Sequence, residues 1–274
     1  MRLCKASDAV LYWDCPGFLE AVSRRRVLLC KECAAVIKTV FCFFYVIFAM
    51  LVLTPVGLVV VVLSLVGLGK PMSAMMHRIA QGWGRLFIAI MGCKLTVTGR
   101  ENIPASGGVC FASNHGSIFD IVVLLAYVGR PFGFIAKKEL LFIPFLNMWI
   151  AIMGGLFIDR NNPRNALKTI NAGVAKIKAG GGMIIFPEGH RSRGQGLLPF
   201  RPGAFKLATQ AQSPIVPIAI AGTYDIFEKN GRANAAPVHM AFCPPISTSD
   251  IPSADRKLML SDKVYEVIKG ALGG

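Results

Sequence analysis

The sequence has few charged residues and is especially poor in acidic ones. Asp and Glu total 15 against 30 Lys and Arg, charged residues make up 16% of the 274, and 54% are hydrophobic. A mean hydropathy of +0.54 excludes a disordered chain and is typical of a protein associated with membranes. In so apolar a chain, the net charge of +15 favours anionic lipids or a phosphorylated substrate as partners, and we expect no nucleic acid.

Two common catalytic motifs are absent as well. The chain contains neither G-x-S-x-G nor G-x-x-x-x-G-K-[ST], which argues against a serine hydrolase of the common kind and a P-loop nucleotidase.

The cysteines of the chain are too scattered for a disulfide framework and indicate a reducing compartment. Cys30 and Cys33 form a single C-x-x-C whose nearest histidine is His77. We therefore expect reduced thiols, no metal site and no cofactor.

One long apolar run predicts a membrane anchor. From Thr39 to Gly69 there are 31 residues without a charge, whereas a spanning helix needs about 20. Basic residues flank both ends of the run, which indicates that both ends face the cytoplasm. We therefore predict a membrane-embedded hairpin bent at Pro55, with a single tilted span as the alternative. The amphipathic stretch Met72–Met91 predicts a helix that lies in the membrane interface or packs on the catalytic domain.

The pattern along the chain predicts three parts. Residues 1–38 form a basic segment with cysteines, residues 39–92 form the hairpin and interfacial helix, and residues 93–274 form an α/β domain. In this last part we expect a mixed β-sheet flanked by helices. The predicted strands are Leu95–Thr98, Val109–Ala112, Phe134–Ala136, Leu156–Ile158, Met183–Phe186, Ile215–Ala221 and Val238–Phe242.

Two helical stretches of this domain need separate interpretation. Pro163–Lys178 places apolar residues on one face and ends at a glycine run, which predicts an amphipathic surface helix. Leu140–Ile158 is uncharged over 19 residues and resembles a second span. Proline, asparagine and glycine interrupt it, so we predict a buried or membrane-apposed helix followed by a strand.

The first candidate catalytic motif follows a short apolar strand. His115 and Asp120 are five residues apart, a spacing that separates them on a continuous helix. They can meet if His115 lies in the loop and Asp120 in the first helical turn. The carboxylate would then orient the imidazole, whose other nitrogen could take a proton from a hydroxyl. The alternative is structural, because Ser117-x-x-Asp120 has the spacing of a capping box.

Arginines at the ends of two further strands predict a phosphate site. Arg160 ends the stretch F-I-D-R, and Arg191 lies in F-P-E-G-H-R-S. Guanidinium groups bind phosphate with two parallel hydrogen bonds, and Gly189 would let backbone amides approach an anion closely. For each arginine taken singly, the alternative is a solvated loop charge.

Together these motifs resemble the glycerolipid acyltransferase family, specifically the 1-acyl-sn-glycerol-3-phosphate acyltransferases. The resemblance covers residues 72–246 and rests on four blocks in the family's order. The blocks are N-H-x-x-x-x-D at Asn114–Asp120, G-L-F-I-D-R at Gly155–Arg160, F-P-E-G-H-R-S at Phe186–Ser192 and V-P-I at Val216–Ile218.

The resemblance implies that His115 is the general base and that Asp120 orients it. The base would deprotonate the sn-2 hydroxyl of 1-acyl-sn-glycerol-3-phosphate for attack on an acyl thioester of coenzyme A or acyl carrier protein. The product would be phosphatidic acid, an intermediate of phospholipid biosynthesis. The catalytic domain would work at the cytoplasmic face of the membrane, where a lysolipid keeps its tail in lipid.

The resemblance also implies the residues that hold the acceptor phosphate, namely Arg160, Glu188, Gly189 and Arg191, with Lys137 as an additional cation. Because a carboxylate repels phosphate, we expect Glu188 to hold an arginine or a glycerol hydroxyl.

One residue departs from the family pattern. His190 stands where the family usually has threonine, and it could donate to the anion or alter the choice of acceptor. The alternatives are an acyltransferase for glycerol-3-phosphate or another lysophospholipid, a membrane lipid-binding protein without turnover, and a thioester hydrolase.

Overall fold

The computed structural model describes residues 16–63, 67, 69–249 and 256–273, with side chains described from residue 32 onward except for residues 69–72. Most of the predicted segment 1–38, Cys30 included, therefore lies outside the described side chains. Its predicted boundary at residue 38 falls inside helix α1, Pro16–Leu63. Cys33, the second cysteine of the C-x-x-C, is exposed.

Helix α1 runs without a break through Pro55, so the predicted bend at that proline is wrong. A proline inside a helix removes one backbone hydrogen bond and costs about 3 kcal/mol. Packing on both sides of Pro55 offsets this loss, because Tyr45 contacts Trp83 and Val60 packs with Met76.

The chain reverses direction after α1, and helix α2, Gly69–Ile90, returns alongside it. The two helices are antiparallel, since contacts join Val60 to Met76 near one end and Cys42 to Met91 near the other. Helix α2 also packs on the α/β domain through Phe87, which confirms that interpretation of the amphipathic stretch. By length and composition, Glu32–Leu63 could cross a membrane, and 11% of its most apolar window is buried inside the protein.

The domain that follows is built on a seven-stranded sheet in the order β1-β7-β6-β2-β5-β3-β4. The strands β1 to β7 are Lys94–Thr98, Val109–Ser113, Phe132–Lys137, Leu156–Ile158, Gly182–Ile185, Ile215–Ala221 and Pro237–Phe242. Each predicted strand is present with boundaries shifted by at most two residues. The pairing of β6 with β7 is antiparallel and the other pairings are parallel, which confirms the predicted mixed sheet.

Helices cover both faces of this sheet. Helices α3 to α7 are Phe119–Tyr127, Leu146–Ile152, Pro163–Lys178, Lys206–Ala211 and Arg256–Ala271. Successive side chains of β2 point to opposite faces. Val109 and Phe111 pack with α2 and α3, whereas Cys110 and Ala112 pack with α5, α6 and α7.

The two helical predictions for this domain are confirmed. Helix α5 has the predicted bounds, and Asn162 caps its start by accepting hydrogen bonds from the amides of Arg164 and Asn165. The uncharged stretch at 140–158 forms the seven-residue α4 and the strand β4. Helix α4 packs against α1, with Gly57 close to Ile152.

The topology brings the predicted motifs to one edge of the sheet. Strands β2, β3, β4, β5 and β6 are parallel to one another, so their carboxyl ends meet at the same edge. The loop with His115 follows β2, Arg160 follows β4, and Glu188 follows β5. Residues that are more than 70 positions apart in the chain therefore become neighbours.

The position of β2 in the sheet depends on its close approach to α5. A Cβ atom on Gly108, the residue before β2, would lie 2.1 Å from the carbonyl oxygen of Ile177. We expect Gly108→Ala to lower the free energy of unfolding by about 2–3 kcal/mol because backbone must move. Gly203→Ala is the control, since a Cβ there has no neighbour within 4 Å. Thermal unfolding in detergent would measure both, and equal midpoints would contradict the argument.

Candidate active site

The loop that carries His115 leaves the sheet at a tightly held position. The side chain of Asn114 extends the pairing of β2 with β6, because its amide donates to the carbonyl of Ile220 and its oxygen accepts from the Ile220 amide, both at 2.8 Å. The next residue, His115, therefore starts from a defined point above the sheet edge.

His115 and Asp120 meet as their spacing predicted, with the histidine in the loop and the aspartate in the first turn of α3. The imidazole Nδ1 lies 2.8 Å from Asp120 Oδ2. A carboxylate can only accept, so Nδ1 carries the proton, and in the neutral imidazole Nε2 presents a lone pair. The His115 side chain is 17% exposed and the Asp120 side chain 1%, which leaves the base accessible while its partner is buried.

Asp120 accepts three hydrogen bonds, from His115, from the Ser117 amide at 2.9 Å and from the Thr223 hydroxyl at 2.5 Å. The Ser117 contact is the helix-start interaction of a capping box. The structural and the catalytic interpretations of Asp120 therefore hold together, because one oxygen, Oδ2, accepts from both His115 and the Ser117 amide, while Oδ1 accepts from Thr223.

The segment after β5 packs directly on the histidine. The Phe186 ring stacks on the His115 imidazole, with centroids 4.1 Å apart and planes at 22°. The Ser192 amide donates to the His115 carbonyl at 2.8 Å. The F-P-E-G-H-R-S block thus limits the rotation of the imidazole and the movement of its backbone.

Among the described residues, Glu188 binds backbone amides and no arginine, so the expected pairing with an arginine is wrong. Its side chain is buried, and its oxygens accept from the backbone amides of His115 at 2.6 Å and Leu198 at 3.1 Å. Burial raises the pKa of Glu188, although these hydrogen bonds and the nearby His115 oppose the rise. Through these hydrogen bonds, the Glu188 carboxylate connects the His115 loop to the third block.

Two arginines flank Gly189 without a carboxylate partner among the described residues. Arg160 donates to the Gly189 carbonyl at 2.6 Å, and the Arg201 side chain lies against the same glycine. Gly189 has φ +81, and a Cβ there would come within 3.0 Å of Arg201 Nε. Burial and the positive charge of Arg201 lower the pKa of Arg160, while Glu139 opposes the change. Like charges held this close favour an anion between them.

The remaining predicted residues take different positions. Arg191 pairs with Glu228 at 2.9 Å. Lys137 ends β3 in register with Ile158, so it lies at the same sheet edge as Arg160, with its side chain exposed. His190, which departs from the family pattern, is exposed.

An apolar cavity of about 600 Å³ opens beside this edge. Side chains of α1, α2, α3 and α4 line it, among them Phe43, Trp83 and Phe119. The charged members of the described lining are Arg191 and Glu228. A long hydrocarbon chain fits such a space, with its polar end toward the arginine.

Sequence reasoning missed Thr223, Glu228 and Arg201. Thr223 and Glu228 lie beyond the fourth block, in a segment that contains no recognisable motif. Only the order of the strands in the sheet brings them to the His115 loop. Arg201 had a detectable signal, because it lies two residues before the stretch G-A-F-K-L-A at Gly203–Ala208, which also resembles family sequence.

Comparison with known sequences places these motifs in a family. A family model described as Acyltransferase matches residues 94–221. The chain is similar to 1-acyl-sn-glycerol-3-phosphate acyltransferases of Salmonella typhimurium, at 37% identity over 169 residues, 61% of this chain and 68% of the relative. The enzyme of that name from Cocos nucifera is 34% identical over 169 residues, again 61% of this chain. The matched region spans 54% of the coconut protein.

A solved structure shares the fold. The 1-acyl-sn-glycerophosphate acyltransferase of Thermotoga maritima superposes with a TM-score of 0.62 at 26% sequence identity, covering 71% of this chain and 78% of that one. The sheet with its flanking helices is therefore the architecture of this family.

The hydrogen bond from Thr223 to Asp120 is open to a direct test. Thr223→Val removes the hydroxyl with little change of shape and leaves a buried carboxylate oxygen without a donor, which costs about 1–3 kcal/mol. We expect a fall in kcat of roughly tenfold and a lower unfolding midpoint. Thr223→Ser keeps the hydroxyl and should retain most of the activity. A valine variant as active as wild type would show that the third hydrogen bond is dispensable.

Proposed function

Because the chain belongs to the family of 1-acyl-sn-glycerol-3-phosphate acyltransferases, we propose that it transfers an acyl chain from a thioester to the sn-2 hydroxyl of 1-acyl-sn-glycerol-3-phosphate. The product is phosphatidic acid. The observation that carries the proposal is the His115–Asp120 pair at 2.8 Å. Ile118 of the same loop lines the apolar cavity, and the two arginines at Gly189 lie at the same edge of the sheet.

The chemistry follows from this geometry. His115 Nε2 takes the proton of the acceptor hydroxyl while the oxygen attacks the thioester carbonyl, and buried Asp120 stabilises the imidazolium that forms. The tetrahedral intermediate collapses with cleavage of the carbon–sulfur bond. The departing thiolate takes the proton back from the imidazolium, so the enzyme returns to its starting state without a covalent intermediate.

The acceptor phosphate is assigned to the arginines around Gly189. Arg160 and Arg201 offer two forked donors at the sheet edge that carries His115, and this geometry suits a phosphomonoester. Lys137 adds a positive charge at the neighbouring strand end. Arg191 lies on the cavity side, where it can bind the phosphate of an entering lipid before that phosphate reaches Arg160 and Arg201.

The apolar cavity is the proposed site for an acyl chain. Its walls come largely from α1 and α2, so the helices that resemble a membrane anchor also form part of the active site. Burying each methylene group there contributes about 0.8 kcal/mol. The donor in this proposal is a thioester of coenzyme A or acyl carrier protein, and the reaction needs no cofactor.

The described part of α1 supports a location at a membrane. Exposed apolar side chains such as Phe44, Phe48 and Val59 cover its outer surface, which is a poor surface for water and a good one for lipid. We place the catalytic domain at the cytoplasmic face, because basic residues flank the apolar run on both sides. A lysolipid could then bring its headgroup to His115 without leaving the bilayer.

The proposal is tested with detergent-solubilised full-length protein and isotope-labelled acyl-coenzyme A. Wild type should form labelled phosphatidic acid only when 1-acyl-glycerol-3-phosphate is present, as followed by mass spectrometry. His115→Ala should lower the rate by about 10²–10⁴-fold because the general base is lost.

Parallel reactions separate the alternatives. Acyl carrier protein thioester tests the donor, and glycerol-3-phosphate and a zwitterionic lysophospholipid test the acceptor. Release of fatty acid without an acceptor would indicate a hydrolase. Folded wild-type protein that is silent with both donors and every acceptor would refute acyl transfer.

Arg201 lies outside the four family blocks and provides an independent test of the phosphate site. We expect Arg201→Ala to raise the KM for the lysophospholipid roughly tenfold, the low end for a charge-assisted hydrogen bond at an exposed site. The KM for the acyl donor should change little. Arg100→Ala is the matched control, because Arg100 follows β1 at the opposite edge of the sheet. An unchanged acceptor KM in the Arg201 variant would remove this residue from the site.

A further inference from the structure

Glu228 lies at the junction of the catalytic loop, the third block and the apolar cavity. It belongs to the segment between β6 and β7, outside the four family blocks. Its side chain is 15% exposed. A carboxylate this poorly hydrated needs several donors, and the structure supplies them from two different parts of the site.

The first set of donors comes from the loop that follows His115. Glu228 Oε1 accepts from the Ile118 amide at 2.9 Å, and Oε2 accepts from the Ser117 hydroxyl. The Ser117 oxygen in turn accepts from the Phe119 amide at 3.1 Å. These amides are at the start of α3, where a negative charge is favourable. Glu228 therefore holds the stretch between the two members of the catalytic pair.

The second donor is Arg191. Its Nη1 lies 2.9 Å from Oε1, the same oxygen that accepts from the Ile118 amide. Arg191 and Glu228 both line the apolar cavity, so an anionic lipid headgroup entering there would meet the arginine while it is paired. The carboxylate and the substrate anion thus compete for one guanidinium group.

The segment that carries Glu228 is itself held in place. Thr223 of the same segment donates to Asp120. At its other end, the Ala233 amide donates to Thr39 Oγ1 of α1 at 2.7 Å. Phe227 also packs edge-on against Phe43 of α1. These contacts fix the carboxylate relative to both the catalytic loop and the apolar helix.

We propose that Glu228 is a positioning residue for the acyl transfer: it holds the His115 loop in its reactive geometry and keeps Arg191 paired until the anion of the lipid substrate replaces it. This inference rests on the proposed function for its kinetic consequences. Its structural part, the attachment of the loop, does not depend on the substrate.

Two variants separate the two roles. Glu228→Gln keeps the shape and can still hydrogen-bond Ser117 and Ile118, but it loses the charge that pairs with Arg191. We expect its kcat to stay within about threefold of wild type and its KM for the lysophospholipid to fall about two- to fivefold, the range expected for a partly exposed ion pair. Glu228→Ala loses both roles, and its kcat should fall about ten- to hundredfold because the loop moves.

Hydrogen–deuterium exchange of the detergent-solubilised protein gives a measurement that needs no substrate. The peptide covering residues 114–121 should exchange faster in Glu228→Ala and at the wild-type rate in Glu228→Gln. Asp225→Asn is the control from the same segment, since it removes an exposed ion pair with Lys229. Its kinetics and its exchange in this peptide should match wild type.

The outcomes distinguish this inference from the proposed function. Faster exchange in the alanine variant, with wild type inactive on the lysophospholipid, would support the positioning role and reject the proposed substrate. Wild-type exchange and wild-type kinetic constants in both Glu228 variants would overturn the inference. So would equal losses in the alanine, glutamine and Asp225→Asn variants, because these would show general destabilisation of the segment.

Discussion

The site depends on one buried carboxylate, that of Asp120, and on the donors that make its burial tolerable. A charge removed from water is costly unless hydrogen bonds replace its hydration. Here the donors come from the loop between β2 and α3, through His115 and Ser117, and from the segment after β6, through Thr223. Any movement of these elements would leave the charge unsatisfied. The orientation of His115 is therefore maintained because any other orientation would remove a hydrogen bond from the buried carboxylate of Asp120, which costs free energy.

The chain has only 15 acidic residues, and the other carboxylates at the site are likewise satisfied by hydrogen-bond donors. Glu188 binds the backbone amides of His115 and Leu198, and Glu228 binds the start of α3 together with Arg191. The carboxylates hold backbone segments of the site in place, while Arg160 and Arg201 lack carboxylate partners in the described part of the chain. This division gives the site a positive surface for an anionic substrate even though three acids lie within it.

Helices α1 and α2 have a part in this organisation besides their proposed contact with lipid. Helices α1 and α2 provide much of the cavity wall, and Thr39 of α1 accepts from the Ala233 amide in the segment that carries Glu228. Substrate access, the cavity and the catalytic loop are therefore connected through packed side chains and hydrogen bonds. The proposed substrate and product are both lipids, and the apolar cavity that could hold their chains adjoins the loop that carries His115.

Local pattern in the sequence determined the strands, helix α5, the long apolar segment and the meeting of His115 with Asp120, because each depends on residues close together in the chain. Even the dual role of Asp120 was present in its spacing from Ser117. The path of α1 through Pro55 was decided by packing against α2, which outweighs the hydrogen bond that proline removes. The strand order brought Glu188 under the amide of His115 and placed Thr223, Glu228 and Arg201 at the site. These contacts join residues far apart in sequence, and no local periodicity encodes them. The sequence alone therefore determined which groups could carry out the chemistry, whereas only the tertiary structure decided which carboxylates hold the backbone and which arginines remain for a ligand.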